Sequence, residues 1–313
     1  MNRGIKTRST VGLVAALALG FLLTACGGGG EQGGGGGETI TVGSKNFTEQ
    51  YVLGELYAQT LEANGFTVEK RLDLGSEQIA DQALQNGEID MYPEYPGTAL
   101  VAIHDVEPPL PDTAEETYET ARQLYADRDP EDSMLEPADF NNNYAIITTR
   151  EAAEQYDIKT LEDLAEVSGE LAFASYSEFE NRSDGFPNIK ENYPNMEFAD
   201  KVIVNDLGLR YRALAEGEAD VGVGFRTDGQ LSSEDLVEVE DPKNIWPIYQ
   251  PAPVFRTEVL DQSPEVREII NTVTRSLTLE NMRKMNAAVD LQREDPEEVA
   301  QQYLEENGLL EQQ

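Results

Sequence analysis

Two stretches of the chain echo one another. Residues 83–90 read Ala-Leu-Gln-Asn-Gly-Glu-Ile-Asp, and residues 213–220 read Ala-Leu-Ala-Glu-Gly-Glu-Ala-Asp. Each reads as a helix end capped by glycine, then a turn into a strand. An aromatic stands five residues past each closing aspartate, Tyr95 and Phe225, and a threonine soon after, Thr98 and Thr227. The shared pattern is a common helix-to-strand composition that chance also produces, but the matching offsets favour two similar lobes. With 313 residues the chain is long enough for one large or two medium domains. Two α/β lobes face to face leave a cleft at the carboxyl ends of their strands, where small ligands bind.

The local pattern agrees with that class. Thr39–Gly43 is a β-branched run that reads as a strand, and Asn46-Phe47-Thr48-Glu49 reads as a helix start. The helix would run to about Asn64, with Val52, Leu53, Leu56, Tyr57 and Leu61 on one face and Gly65 as its stop. Phe66–Leu72 is the next expected strand, then a helix over about Glu77–Asn86. Strand and helix go on alternating, which predicts an α/β fold with largely parallel sheets. Asn143–Thr148 and Val221–Thr227 are the expected hinge strands. Lobe 1 is then residues 39–143 plus 229–313, returning through Ile248–Phe255, and lobe 2 is residues 144–228. Helices expected at Glu265–Leu279 and Pro296–Asn307 close the chain by ordinary amphipathic packing.

The N-terminus reads as an address. Arg3, Lys6 and Arg8 precede an apolar run, Val11–Leu23, of signal-peptide length and too short for a membrane span. Leu23-Thr24-Ala25-Cys26 matches the bacterial lipoprotein signal, in which Cys26 is lipidated and becomes the new N-terminus; an ordinary signal peptide with a nearby cysteine is the alternative. Residues 26–38 follow as a tether, since Gly27–Gly37 holds nine glycines broken only by Glu31 and Gln32.

Charge excludes more. The chain has 23 basic and 60 acidic residues, a net −37. Loss of residues 1–25 with their three basic groups leaves 20 against 60, or −40. Such a surface repels phosphates and argues against nucleic acid as a partner. One cysteine, Cys26, forms no internal disulfide or Cys-based zinc site, and one histidine, His104, leaves His-based metal sites and Ser-His-Asp chemistry poorly supplied. His104 and Asp105 read as surface residues after a helix. Asp127–Asp132 lacks calcium-loop spacing and reads as a solvated turn. No cofactor is expected.

Several motifs, in order, carry a resemblance. Val42-Gly43-Ser44-Lys45-Asn46-Phe47-Thr48-Glu49-Gln50 opens the set, and Asp90-Met91-Tyr92-Pro93-Glu94-Tyr95-Pro96-Gly97-Thr98-Ala99 follows. Phe140–Ala145, Ser177–Gly185, Leu209–Leu214 and Thr227-Asp228-Gly229 complete it. From about Ile40 to Leu310 the chain resembles the substrate-binding lipoproteins of osmoprotectant ABC importers, which take glycine betaine, choline or proline betaine.

The resemblance implies a two-lobed periplasmic-binding-protein fold of type II and a monomer, lipid-anchored outside the cell membrane, that serves an ABC permease and its ATPase. It places a cation cage at Tyr95, Tyr144, Tyr211 and Phe225, with Phe225 where relatives carry tyrosine. It assigns the ligand carboxylate to Lys45, Thr98 and Arg182. Glu178, four residues before Arg182, is expected to orient that guanidinium, and Asn142 stands near the cationic head where some relatives carry aspartate. The residue types suit the chemistry: a trimethylammonium has no N–H to donate, so ring faces hold it, at about 0.5–2 kcal/mol each. A carboxylate asks instead for a lysine, an arginine fork or a helix start. With Lys45 and Arg182 present, a betaine is expected to bind better than choline. Each tyrosine has core packing as its competing role, Tyr211 most of all because it lies near Leu207, Leu209 and Leu214. Two other function classes compete: a sensor module for a similar ligand, and a two-carboxylate hydrolase, for which no motif frames a pair.

Overall fold

A computed structural model describes residues 39–310, apart from Pro108 and Glu234. The expected signal peptide, the glycine tether and Cys26 lie outside the described residues. Among the described residues ten strands form two five-stranded sheets: β1 Thr39–Gly43, β2 Thr67–Arg71, β3 Met91–Glu94, β4 Asp132–Met134, β5 Tyr144–Thr149, β6 Ala172–Ser175, β7 Asp200–Ile203, β8 Val221–Phe225, β9 Leu236–Glu238 and β10 Ala252–Arg256. The first sheet has the order β2-β1-β3-β10-β4 and the second β7-β6-β8-β5-β9. In each, the first three strands are parallel, and the fourth runs antiparallel to its neighbours.

The echo segments occupy matching places in this plan. Helix Glu77–Gln85 feeds β3, and helix Leu207–Ala215 feeds β8, the third strand of each sheet. Gly87 and Gly217 take φ of +69° and +73° after those helices, a conformation that favours glycine. The closing aspartates then do the same task twice. Asp90 donates its N–H to the Thr41 carbonyl at 2.8 Å and accepts the Thr41 N–H on Oδ2 at 2.8 Å. Asp220 donates to the Ala172 carbonyl at 2.9 Å and accepts the Ala172 N–H on Oδ2 at 2.8 Å. Each aspartate thus pins the third strand of its sheet to the second.

The cores follow from helix amphipathicity. Helix Thr48–Ala63 buries Val52, Leu53, Leu56, Tyr57 and Leu61 against Ile270, Val273, Met282 and Leu304 of the C-terminal helices. Each such side chain removed from water contributes about 1.5–3 kcal/mol. Those helices are Glu265–Ser276, Leu279–Asp290 and Pro296–Glu306. The middle one was not expected. Its start is a capping box in which the Thr278 hydroxyl accepts the Asn281 N–H and the Asn281 side chain accepts the Thr278 N–H. The second lobe packs Phe173, Phe179, Ile189, Val221 and Val223 in a core of its own.

The lobe boundary differs from expectation. Leu236–Glu238 pairs with β5, and Val239 and Trp246 lie in the second core, so residues after 229 do not return directly to the first lobe. Val221–Phe225 is likewise an interior strand of the second sheet, not the returning hinge. The two crossings are the segment before β5 and the segment before β10. They are laced together by the Asn142 N–H on the Tyr249 carbonyl at 3.0 Å and the Ala138 N–H on the Pro251 carbonyl at 2.8 Å. A three-residue edge strand such as β9 carries too short an alternation to stand out in sequence.

Candidate functional site

Between the two sheets lies a cavity of about 830 Å³, lined by residues that follow the strand ends of both lobes. Its most organised feature is a row of rings. Tyr95, just past β3, stacks with Phe47 at 6.4 Å between centroids. Phe47 stacks with Phe225 at 5.9 Å, and Phe225 with Tyr144 at 5.5 Å. Tyr249 meets Tyr144 edge-on at 5.7 Å. The row therefore runs from the first lobe (Tyr95, Phe47) into the second (Phe225, Tyr144), and all five rings line the cavity.

Sequence order explains why these rings meet. Tyr95 precedes the short helical turn Pro96–Thr98, and Phe47 sits at the N-cap of helix Thr48–Ala63 in extended conformation. Tyr144 and Phe225 are register partners at the near ends of β5 and β8. Phe225 is further fixed by its N–H on Asp228 Oδ2 at 2.7 Å.

Behind Tyr95 lies a carboxylate that the motif reading passed over. Glu49, 2% exposed, accepts the Tyr95 hydroxyl at 2.7 Å and the Asn142 amide at 3.0 Å. Burial raises its carboxyl above the usual range, against the pull of its hydrogen bonds. Sequence had placed Glu49 in a helix cap, but the N-cap residue is Phe47, with no side-chain cap bond, and Glu49 turns inward. Asn142 is held at both ends, since its Oδ1 accepts the Thr227 N–H at 3.1 Å. The carboxyl group that asparagine lacks at this position stands one hydrogen bond away, on Glu49.

The expected carboxylate holders are present, and the two charged ones are already engaged. Lys45 Nζ stands 2.5 Å from Glu94 Oε1 and 4.5 Å from the centre of the Tyr95 ring. Arg182 directs Nε and Nη2 to Asp184 at 2.9 and 2.6 Å, and Nη1 to Glu77 Oε1 at 2.9 Å. The last pair spans the two lobes. Thr98 is buried and lines the cavity within its short helical turn.

Two expected site residues are corrected. Tyr211 does not line the cavity; its hydroxyl donates to Asp228 Oδ2 at 2.8 Å and its ring packs with Ala145, Ile147 and Leu214. Neighbouring residues on a helix project about 100° apart, so it is Arg210 that lines the cavity from this helix. Glu178 lines the cavity with an exposed side chain and does not orient Arg182. Arg182 is the C-cap of helix Ser177–Asn181 with ψ of 140°, so the i,i+4 geometry of a continuous helix does not apply, and Asp184 and Glu77 take the pairing.

Among the further cavity residues that motif reading missed are Phe47, Tyr176, Tyr249, Glu77 and Arg210. Phe47 lies within the Val42–Gln50 motif, and its aromatic type was the available signal. Carboxylates outnumber cations on the wall: Asp73, Glu77, Glu178, Asp206 and Asp290 against Lys45, Arg182 and Arg210. Such a wall attracts a cation. Among the described residues no group of three His, Cys, Asp or Glu could hold a metal ion. None of the helices there is long and apolar enough to cross a membrane.

Residues 38–306 match the family described as the substrate binding domain of the ABC-type glycine betaine transport system. The glycine-betaine-binding protein of Pseudomonas aeruginosa is 33% identical over 298 residues, 92% of this chain and 94% of that protein. Glycine betaine-binding protein YehZ of Escherichia coli is 29% identical, over 86% of this chain and 90% of its own length. The crystal structure of a glycine betaine/carnitine/choline ABC transporter aligns with a TM-score of 0.72 at 26% identity, covering 87% of this chain and 99% of that one. The chain thus belongs to the family of substrate-binding domains of ABC-type glycine betaine transport systems, as a substrate-binding component of an ABC transporter and not an enzyme.

Proposed function

We propose that this protein captures a betaine-type quaternary ammonium osmoprotectant, glycine betaine foremost and proline betaine or choline next, and delivers it to a membrane permease driven by an ATPase. The observation that carries the reading is the ring row Tyr95, Phe47, Phe225 and Tyr144 in a cleft whose carboxylates outnumber its cations. Such a cleft draws in a cation, and ring faces then hold it without hydrogen bonds, at about 0.5–2 kcal/mol per well-placed ring. The Tyr95 ring gains electron density because its hydroxyl donates to Glu49 Oε1 at 2.7 Å. The amine's anionic end faces Lys45, Thr98 and Arg182, and the carboxylate partners of Lys45 and Arg182 yield in part to the ligand's own. Capture takes place outside the cytoplasm, on a monomer held to the membrane by lipid on Cys26.

Isothermal titration with glycine betaine, proline betaine and choline tests this reading. Binding of glycine betaine ahead of choline is the expected order. Absence of heat with all three, in a protein shown to be folded by circular dichroism, rejects the reading.

A further inference from the structure

Three cations line the cleft, and two of them are answered by carboxylates: Lys45 by Glu94, Arg182 by Asp184 and Glu77. Arg210 is different. It is 4% exposed, yet no carboxylate among the described residues lies within ion-pair distance of it. Its Nη1 donates to the Val223 carbonyl at 3.1 Å, and its Nε is buried with no hydrogen-bond partner. A buried guanidinium left this way is costly unless something completes it.

Its setting is built, not incidental. The guanidinium carbon lies 4.2 Å from the centre of the Tyr176 ring, a stacking geometry that fixes the plane of its fork. The Tyr176 hydroxyl in turn donates to the Tyr144 hydroxyl at 3.4 Å. Arg210 therefore stands one ring away from the cage row. In a short betaine the carboxylate lies one carbon from the ammonium, so its acceptor must stand beside the cage. The acid that shares Arg210's surroundings, Asp228, is occupied on Oδ2 by the Tyr211 hydroxyl and the Phe225 N–H. Asp206, one turn earlier on the same helix, spends Oδ1 on the Leu209 N–H.

We infer that Arg210 receives the carboxylate of the bound betaine and is the residue that selects zwitterionic betaines over choline. The inference rests on the quaternary-amine reading above and names within it a residue that reading did not use. Arg210 offers the ligand a fork with no acid to displace, whereas Lys45 and Arg182 must share theirs.

The test compares wild type, Arg210→Lys and Arg210→Gln by isothermal titration with glycine betaine and with choline. Losing one charge-assisted contact predicts roughly 10–100-fold weaker betaine binding in Arg210→Gln, with choline changed less than about threefold. Arg210→Lys falls between, since an ammonium keeps the charge without the fork. Equal losses for both ligands overturn the inference, because Arg210 then only braces Tyr176; unchanged betaine binding overturns it too. Failure of the wild type to bind either amine overturns the functional reading and this inference together, so the two failures are told apart. Should Arg210→Gln fail to fold, wild type labelled with ¹⁵N-arginine decides. The Nε–H signal absent from Arg210→Lys shifts with glycine betaine and not with choline, and a signal that betaine leaves unmoved overturns the inference.

Discussion

Asp228 offers the sharpest quantitative test of how this cleft is built. Its Oδ2 accepts the Phe225 N–H at 2.7 Å and the Tyr211 hydroxyl at 2.8 Å, so it shapes the turn that presents Phe225 to the cavity. Burial pushes its carboxyl from the ordinary 3.8 up to about 7, outweighing those two hydrogen bonds and the charge of Arg210. In the unfolded chain the group releases its proton at the ordinary value; the folded protein keeps it until about 7. The folded state therefore binds more protons between those limits, and stability falls as pH rises through that window. Each pH unit well inside it costs about 1.36 kcal/mol, which makes the loss from pH 5 to pH 8 roughly 2.5 kcal/mol. Asp228→Asn keeps an acceptor oxygen for both donors and has no proton to lose. Urea unfolding of the two proteins at pH 5, 6.5 and 8 gives the comparison, and the many other acids cancel between them. Asp228→Asn should gain on wild type by roughly 2.5 kcal/mol across that range. A difference constant to within about 0.5 kcal/mol would refute the reasoning, since it would mean Asp228 is ionised throughout.

Other perturbations reach the site directly. Tyr95→Ala removes one ring of the row and should weaken glycine betaine by roughly 2–30-fold in isothermal titration; a betaine-dependent rise in melting temperature unchanged in that variant would count against the cage. Glu77→Gln frees Arg182 Nη1 from its partner across the lobes, and betaine should then bind roughly two- to fivefold tighter. Weaker binding would show that this ion pair holds the productive geometry instead of competing for it. Arg182→Ala leaves Asp184, 3% exposed, without its bidentate partner and should cost about 3–5 kcal/mol in denaturant unfolding, much of it recovered in Arg182→Ala/Asp184→Ala. A double variant no more stable than the single one would show that the cost lies in lost packing.

What could be read in sequence, and what could not, divides along physical lines. The echo was legible because glycine caps and strand-starting aspartates are local devices, and they recur wherever the same helix–strand corner is built. Tyr95 and Phe225 were legible as neighbours of those corners, and Tyr144 as the start of an expected strand between the lobes. Tyr211 was misplaced because a helix separates adjacent side chains by about 100°, so a motif locates the helix without saying which of Arg210 and Tyr211 faces the cleft. Glu178 failed for the related reason that its helix ends at Asn181, before Arg182. The carboxylates that answer Lys45 and Arg182 include one across the lobes, and long-range pairing leaves no trace in local spacing. Glu49 was hidden by a capping rule that holds on average; here the cap is an aromatic and the acid is buried.

The lacing of the two crossings has a mechanical consequence. Two separate linkers would let the lobes slide, twist and hinge in any combination. Here the segment before β5 and the segment before β10 run side by side, bonded through Asn142 to Tyr249 and through Ala138 to Pro251. These bonds couple the two segments, so a hinge bend in one is transmitted to the other as in a single ribbon. Asn142 lies in that ribbon and also touches the carboxylate behind Tyr95. A change in the angle of the ribbon would thereby reach the ring row through Asn142, Glu49 and Tyr95.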